Sequence, residues 1–299
     1  MSNLKRFRNL NILMKDATIQ KLKDYFKQRD DVSMAFLFGS QAKDTTHIGS
    51  DADIAVYFTP SSRYVDWEEA IEYPEETNIG NDVEHIIGLP TDLVVLNRAQ
   101  SVFASEIVAT GIPLVIKDDN IHWRFSRMVE DATEDMRIIS KDWSDIRARS
   151  ESLSEKDKIK LRRVNDFIEL NLKDFNKYKK VDQFTYDRTD SIRRELERWV
   201  ETLAMALIDV AKIILASEKK IVMEESYVDM ARQLGLAMRF EKKDMDMLGN
   251  FAKLRNLLAH EYPDLRYAKI KVFLDDAEPI YRNILTFSKD YIANQKNND

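Results

Sequence analysis

Short apolar runs alternate with amphipathic segments through the first 118 residues of this chain. The apolar runs are of strand length and end near turn residues such as glycine, serine and asparagine, which is typical of buried β-strands. They occupy residues 34–40, 51–58, 91–97 and 111–118. Apolar positions three or four apart predict helices over residues 17–30, 66–72, 81–87 and 100–110. Strands that alternate with helices predict an α/β domain, with a mixed sheet covered by helices.

The pattern changes after residue 118. Apolar positions now recur every three or four residues almost to the end of the chain, and glycine occurs only at Gly235 and Gly249. This spacing predicts helices over residues 120–148, 155–178, 183–218, 225–238, 242–261 and 264–294. We therefore expect the second part of the chain to form an all-α helical bundle.

At 299 residues the chain has room for two domains of ordinary size. The change of pattern predicts an α/β domain at residues 1–118, a connecting helical segment at 119–154 and the helical bundle at 155–299. The polar stretch at 148–158 is the expected joint between the last two.

Composition and charge exclude several classes of site. The chain has no cysteine, so disulfides, thiolate zinc sites and cysteine nucleophiles are excluded, and a reducing compartment fits. Residues 1–150 carry a net charge of −7 and the remainder +1, so neither half is a basic nucleic-acid binder by net charge. The first residues are too polar for a signal peptide, and the best apolar run, 203–216, is interrupted by Asp209 and Lys212. We expect a cytoplasmic protein with no membrane span.

The strongest candidate site combines a Gly-Ser turn with paired carboxylates. Gly39 and Ser40 end the first predicted strand, and Asp51 and Asp53 lie on the next one. Because residues i and i+2 of a strand face the same side, the two carboxylates can converge on one point. Magnesium prefers oxygen ligands, often one or two carboxylates with triphosphate oxygens. Glycine allows the backbone to approach a phosphate closely, and the serine hydroxyl can donate to it.

A third carboxylate, Asp92, begins the next predicted strand. If that strand is adjacent, Asp92 completes an acidic triad, where it could hold metal or help to deprotonate an attacking hydroxyl. Asp82 and Glu84 are rival carboxylates on a predicted helix, and Lys43 is a candidate phosphate contact. The alternative to a functional site is that these are ordinary polar residues of a strand edge and a turn.

The Gly-Ser pair followed after ten residues by Asp51-Ala-Asp53, with the later Asp92, resembles the DNA polymerase β-type nucleotidyltransferase superfamily. In its compact form the region is similar to the minimal nucleotidyltransferase (MNT) family. The resemblance implies that Gly39 and Ser40 hold the triphosphate and that the three aspartates hold Mg²⁺. It also implies a hydroxyl that attacks the α-phosphorus of a nucleoside triphosphate, by default ATP. The stretch 41–44 lacks the arginines that this family often carries, which weakens the basic phosphate contacts.

A second motif ends the predicted helix at 242–261. It reads Arg255-Asn256, then His260 and Tyr262, with a proline next. Arginine offers a planar fork for phosphate, and histidine can transfer a proton near neutral pH. Since Arg255 and His260 are five residues apart, a regular helix does not place them on one face, so a helix end or a symmetric partner must bring them together. Without context this spacing is a weak signal, because a lone histidine near a helix end is usually a cap or core residue.

In its extended form, on a bundle helix behind the nucleotidyltransferase pattern, the motif resembles the HEPN domain of HepT-type toxins. That resemblance implies a dimeric ribonuclease that uses Arg255 and His260 in a cleft between protomers, with RNA as a candidate partner. It further implies that the MNT domain transfers AMP onto Tyr262 as an off-switch. Asn256 is expected to orient the motif through hydrogen bonds.

Three functions therefore compete. The first is a fused toxin–antitoxin-like protein that AMPylates its own ribonuclease tyrosine. The second is a small-molecule nucleotidyltransferase of the aminoglycoside-modifying type, in which the helical part builds a substrate pocket and the second motif is incidental. The third is a dimeric regulatory module that binds nucleotide without turnover.

Overall fold

The computed structural model describes residues 17–39, 52–60, 65–67, 71–219, 223, 226–260 and 263–295, with the backbone alone at 259, 260 and 263–265. The chain divides into two compact units, Met1–Thr133 and Glu134–Asp299. The division falls inside one long helix, Asp119–Arg149. The domain boundaries that the sequence pattern places at residues 118 and 154 remain predictions.

The N-terminal unit alternates strands with helices, as its sequence pattern predicts. Its described elements are α1 (residues 17–27), β1 (Val32–Phe38), β2 (Ala52–Phe58), α2 (Glu76–Ile87), β3 (Thr91–Val95), α3 (Ser101–Thr110), β4 (Ile112–Ile116) and the start of α4 (Asp119–Arg149). The sheet has the order β3-β2-β1-β4. Strand β1 runs antiparallel to both of its neighbours, whereas β2 and β3 are parallel. This mixed sheet confirms the predicted fold class.

Alternation along the strands builds a separate core on each face of the sheet. On one face Phe36, Ala55 and Tyr57 pack with α3 and the start of α4, where Phe125 lies 4.9 Å from Tyr57 between ring centroids. On the other face the intervening strand residues pack against α1 and α2. Strands β1 and β2 are therefore buried on both sides, which explains why they read as nearly continuous apolar runs.

The helix predicted over residues 66–72 is wrong where the structure describes it, at 66, 67, 71 and 72. Tertiary hydrogen bonds hold this segment in an irregular path. The backbone N–H of Asp66 donates to the Tyr57 hydroxyl at 2.8 Å, and the Trp67 indole donates to the Ala99 carbonyl at 2.9 Å. Local spacing favours a helix here, but contacts with residues distant in the sequence override it.

The described secondary structure of the C-terminal unit consists of helices joined by short turns, which confirms the predicted all-α part. Its elements after α4 are α5 (Glu155–Asn171), a 3₁₀ turn (Leu172–Asp174), α6 (Phe175–Tyr178), α7 (Gln183–Arg188), α8 (Asp190–Ser217), α9 (Tyr227–Ala237), α10 (Lys242–His260) and α11 (Pro263–Asn294). Two predicted helices are each broken once. The 3₁₀ turn interrupts one, and the extended backbone of Thr189 separates α7 from α8 in the other.

Helix α8 is the centre of the bundle. From Leu203 onward nearly all of its residues are buried, so no polar face remains. Lys212 is a charged residue buried among these apolar side chains, and it is paired with Asp142 at 2.8 Å and Asp209 at 2.9 Å. These two ion pairs offset the cost of burying the ammonium group.

The described helices include none that is long and apolar enough to cross a membrane.

The turn between α4 and α5 is held by a buried carboxylate. Asp157 is fully buried, and Arg149 donates to both of its carboxylate oxygens, at 2.6 and 2.9 Å. Ser154 caps α5 by accepting from the Asp157 backbone N–H, while its hydroxyl donates to the Asp157 carboxylate. The polar sequence here folds into a tight capped turn.

We expect Asp157→Ala to lower the free energy of unfolding by about 2–3 kcal/mol, because it removes the partner of Arg149 and weakens the cap of α5. Urea denaturation followed by circular dichroism measures this change. Asp166→Asn, at an exposed position of the same helix, is the control and should change stability by less than about 0.5 kcal/mol. Equal effects of the two substitutions would contradict the role given to Asp157.

Candidate functional site

Two carboxylates lie side by side where β2 and β3 begin. The parallel register pairs Asp53 with Asp92, each the second residue of its strand. Residues paired in this way point to the same face of a sheet. Asp53 is half-buried and Asp92 is exposed, so the pair opens to solvent at this edge.

Gly39, directly after β1, lies against Asp53 of this pair. Phe38, the last residue of β1, is the register partner of Asp53. Gly39 follows with φ of 68°, a conformation that favours glycine. A Cβ atom built on Gly39 would lie 1.9 Å from the Asp53 carboxylate oxygen Oδ2. No side chain fits in that space, so glycine is required both by the backbone and by the adjacent carboxylate.

The remaining predicted residues of this site, Ser40, Lys43 and Asp51, lie outside the described residues. Within the described part of the chain no group of three metal-binding side chains is found. The rival carboxylate Asp82 accepts a hydrogen bond from Tyr25 of α1 at 2.8 Å, and α1 packs on the sheet face opposite Asp53. Asp53 and Asp92 supply the oxygen ligands that magnesium prefers.

The second motif lies on α10. The Arg255 guanidinium forms an ion pair with Asp135 of α4, and its Nη1 donates to the Asn256 side-chain oxygen at 3.0 Å. It also lies 5.8 Å from the ring centroid of Tyr227. His260 is the last residue of α10, described by its backbone alone, and Tyr262 lies outside the described residues. Thus, within the described part of the motif, the structure shows how Arg255 is held and brings Asn256 to it.

Two family models match the chain, one in each unit. Residues 20–120 match "Polymerase beta, Nucleotidyltransferase", and residues 168–286 match "Ribonuclease HepT-like". The first match contains the described site residues Gly39, Asp53 and Asp92, and the second contains Arg255. This chain joins a nucleotidyltransferase domain to a HepT-like HEPN domain. The fusion inferred from the two sequence motifs is therefore confirmed.

Three solved structures similar to this chain are described as toxin–antitoxin proteins. One, described as a toxin–antitoxin with AMP-PNP, is 20% identical, with a TM-score of 0.34, and the match covers 43% of this chain and 94% of that one. Two mutants of the toxin–antitoxin MntA-HpeT are 18% and 21% identical, with TM-scores of 0.33 and 0.32. Each match covers 42% of this chain and 91% or 95% of the mutant chain. No curated protein sequence matches this chain.

The HepT-like domain also holds a polar network at the start of α11. Arg266 donates to Glu197 of α8 at 3.1 Å, and the buried Tyr186 hydroxyl donates to the other oxygen of Glu197 at 2.5 Å. Burial, followed by the hydrogen bond to Glu197, raises the pKa of Tyr186. Tyr186 therefore stays protonated as a donor, and the network links Arg266 of α11 to α7 and α8.

Sequence reasoning missed Asp135. The residue is one of several acids on a helix interpreted as a connecting segment, and its partner lies 120 positions further along the chain. Its spacing from neighbouring residues does not distinguish it from solvated acids such as Glu134, which is exposed.

Proposed function

We propose that the nucleotidyltransferase domain transfers AMP from ATP to Tyr262 of the HepT-like domain, and that this modification switches off RNA cleavage by that domain. The observation that carries the proposal is the convergence of Gly39, Asp53 and Asp92 at one sheet edge, in a chain that also contains the Arg255, His260 and Tyr262 motif. Enzyme and acceptor would then belong to one polypeptide.

The transfer follows from ordinary phosphoryl chemistry. The phenolic oxygen of Tyr262 forms a bond to the α-phosphorus, the bond from that phosphorus to the bridging oxygen breaks, and pyrophosphate leaves. Asp92, the more exposed of the paired carboxylates, would accept the phenolic proton. Asp53, Asp92 and Asp51 would hold Mg²⁺, which supplies neutralisation of the triphosphate charge. Gly39, with Ser40 and Lys43, would bind the phosphates.

In the HepT-like domain, Arg255 would contact the RNA phosphate and His260 would transfer protons while the 2′-hydroxyl attacks that phosphate. We infer a homodimer through this domain, since the two residues do not share a helix face and a second copy can complete the cleft. A nucleotide on Tyr262 would add negative charge and bulk beside the cleft, which would oppose RNA binding.

We expect the purified chain to gain the mass of one or more AMP units after incubation with ATP and magnesium, and Tyr262→Phe to gain none. Intact-mass spectrometry measures this directly. Tyr291→Phe, at a partly exposed phenol of the same domain, is the matched control and should be modified like the wild type. Parallel incubations with GTP, CTP and UTP identify the base.

The mass measurement, combined with assays of pyrophosphate release and of magnesium-ATP binding, separates the competing functions. If no chain gains mass but added aminoglycoside triggers pyrophosphate release, the protein is a small-molecule nucleotidyltransferase and Tyr262 has no role in the reaction. If magnesium-ATP binds without either product, the chain is a non-catalytic nucleotide-binding module. Mixing Asp53→Asn chains with Tyr262→Phe chains shows whether transfer occurs between protomers, because only then does the mixture gain mass.

A further inference from the structure

The Arg255 side chain is contacted from three helices. Asp135 on α4 forms an ion pair with it, Asn256 on α10 accepts a hydrogen bond from it, and Tyr227 on α9 lies below its guanidinium. Only 16% of the arginine side chain is exposed. A guanidinium held on several sides loses much of the rotational freedom that an exposed arginine has.

The polar contacts that Arg255 makes with Asp135 and Asn256 involve one end of its guanidinium. Among the described residues, the contacts of Arg255 with Asp135 and Asn256 both use Nη1. An arginine has five N–H donors, and a phosphate is bound by two of them in parallel. Anchoring through one terminal nitrogen therefore fixes the orientation of the fork while the other nitrogens can still meet a phosphate.

Asp135 lies outside both regions that the family models match, 20–120 and 168–286. The long helix that joins the two matched regions thus provides a charged partner for the key arginine of the second one. Its carboxylate is 26% exposed, which is more shielded than the exposed surface acids of the same helix. Partly shielded charge pairs are less weakened by solvent than exposed ones, so this contact can hold a side chain in place.

We propose that Asp135 is a positioning residue for Arg255, and that it orients the guanidinium for contact with an RNA phosphate. The inference rests on the proposed RNA-cleaving function of the HepT-like domain. Under this proposal helix α4 contributes a residue to the RNA site, although Asp135 itself does not have to contact RNA.

The sign of the effect on RNA affinity distinguishes positioning from simple electrostatics. Removing a carboxylate near a polyanion should strengthen binding if charge alone matters. If Asp135 positions Arg255, its removal should instead weaken RNA binding, because the arginine loses its anchor. The two accounts therefore predict opposite changes for Asp135→Asn.

The experiment measures the affinity of the full chain for a short fluorescein-labelled single-stranded RNA by anisotropy. All chains carry Asp53→Asn and His260→Ala, so that neither nucleotidyl transfer nor cleavage intervenes. We expect Asp135→Asn to weaken binding by about tenfold, the usual loss for one hydrogen bond to a charged group. Arg255→Ala should weaken it similarly, and the double variant should show no further loss. Asp135→Glu should restore part of the affinity, and Glu134→Gln is the matched control.

Thermal melting of each variant confirms that it is folded. Unchanged or tighter binding by Asp135→Asn would overturn the proposal, as would additive losses in the double variant. It would also be overturned if the parent chain bound RNA no better than Arg255→Ala, since there would be no positioned contact. Failure here is distinguishable from failure of the tyrosine modification, because the mass measurement contains no RNA.

Discussion

Asp53→Asn is expected to lower nucleotidyl transfer by about 10³-fold while leaving the fold intact. Asparagine has nearly the same shape, so the register of Asp53 with Asp92 and Phe38 should persist. What is lost is one of two adjacent negative charges at the sheet edge, and with it a magnesium ligand. Losing one preorganised electrostatic group in an active site typically costs 10²–10³-fold. The initial rate of adduct formation at saturating ATP and magnesium gives the effect.

Glu84→Gln is the matched control for this prediction, because Glu84 is an exposed carboxylate of the same domain on α2. It should retain the wild-type rate. Removal of divalent metal with a chelator should abolish transfer in the wild type and leave little to lose in Asp53→Asn. If Glu84→Gln lost activity and Asp53→Asn kept it, the site would lie elsewhere on the domain.

Gly39→Ala is expected to remove activity almost as completely, and for a steric reason. The added Cβ would lie 1.9 Å from Oδ2 and 2.7 Å from Cγ of Asp53, so the carboxylate or the turn must move by more than 1 Å. Misplacement of a catalytic group by about 1 Å can cost about 10²-fold in rate. The alanine must also adopt a φ of 68°, which adds about 1–2 kcal/mol of destabilisation.

Two other glycines of the same domain separate these effects. Gly88 ends α2 with φ of 75°, and no described atom lies within 4 Å of the position its Cβ would take, so Gly88→Ala should lose about 1 kcal/mol of stability and keep activity. Gly80 lies inside α2 in similarly open space, so Gly80→Ala should gain about 1 kcal/mol and keep activity. Full activity in Gly39→Ala would contradict the crowding between the turn and Asp53.

The order of elements in the nucleotidyltransferase domain could be predicted from the sequence because its strands are short apolar runs between turn residues. The four strands occur where the pattern predicts them, and their ends shift by at most two residues. The helix prediction failed at 66, 67, 71 and 72, and the contacts of Asp66 with Tyr57 and of Trp67 with Ala99 decide the path of the chain there. Such contacts join residues far apart in sequence, and local periodicity does not contain them.

For the candidate sites the same distinction holds. The spacing of Asp51 and Asp53 predicts a shared face, but the pairing of Asp53 with Asp92 depends on which strands are neighbours and in which register. The contact between Gly39 and Asp53 depends on the pairing of β1 with β2. The partner of Arg255 could not be predicted, since nothing near Asp135 in the sequence marks it.

Incubation of the chain with magnesium and ATP labelled at either the α- or the γ-phosphorus tests the central claim most directly. The account predicts that label from the α-phosphorus stays covalently on the wild-type chain and that label from the γ-phosphorus does not. Asp53→Asn and Tyr262→Phe should each remain unlabelled by both. Label acquired from the γ-phosphorus, or α-label retained by Tyr262→Phe, would contradict the transfer of AMP to this tyrosine.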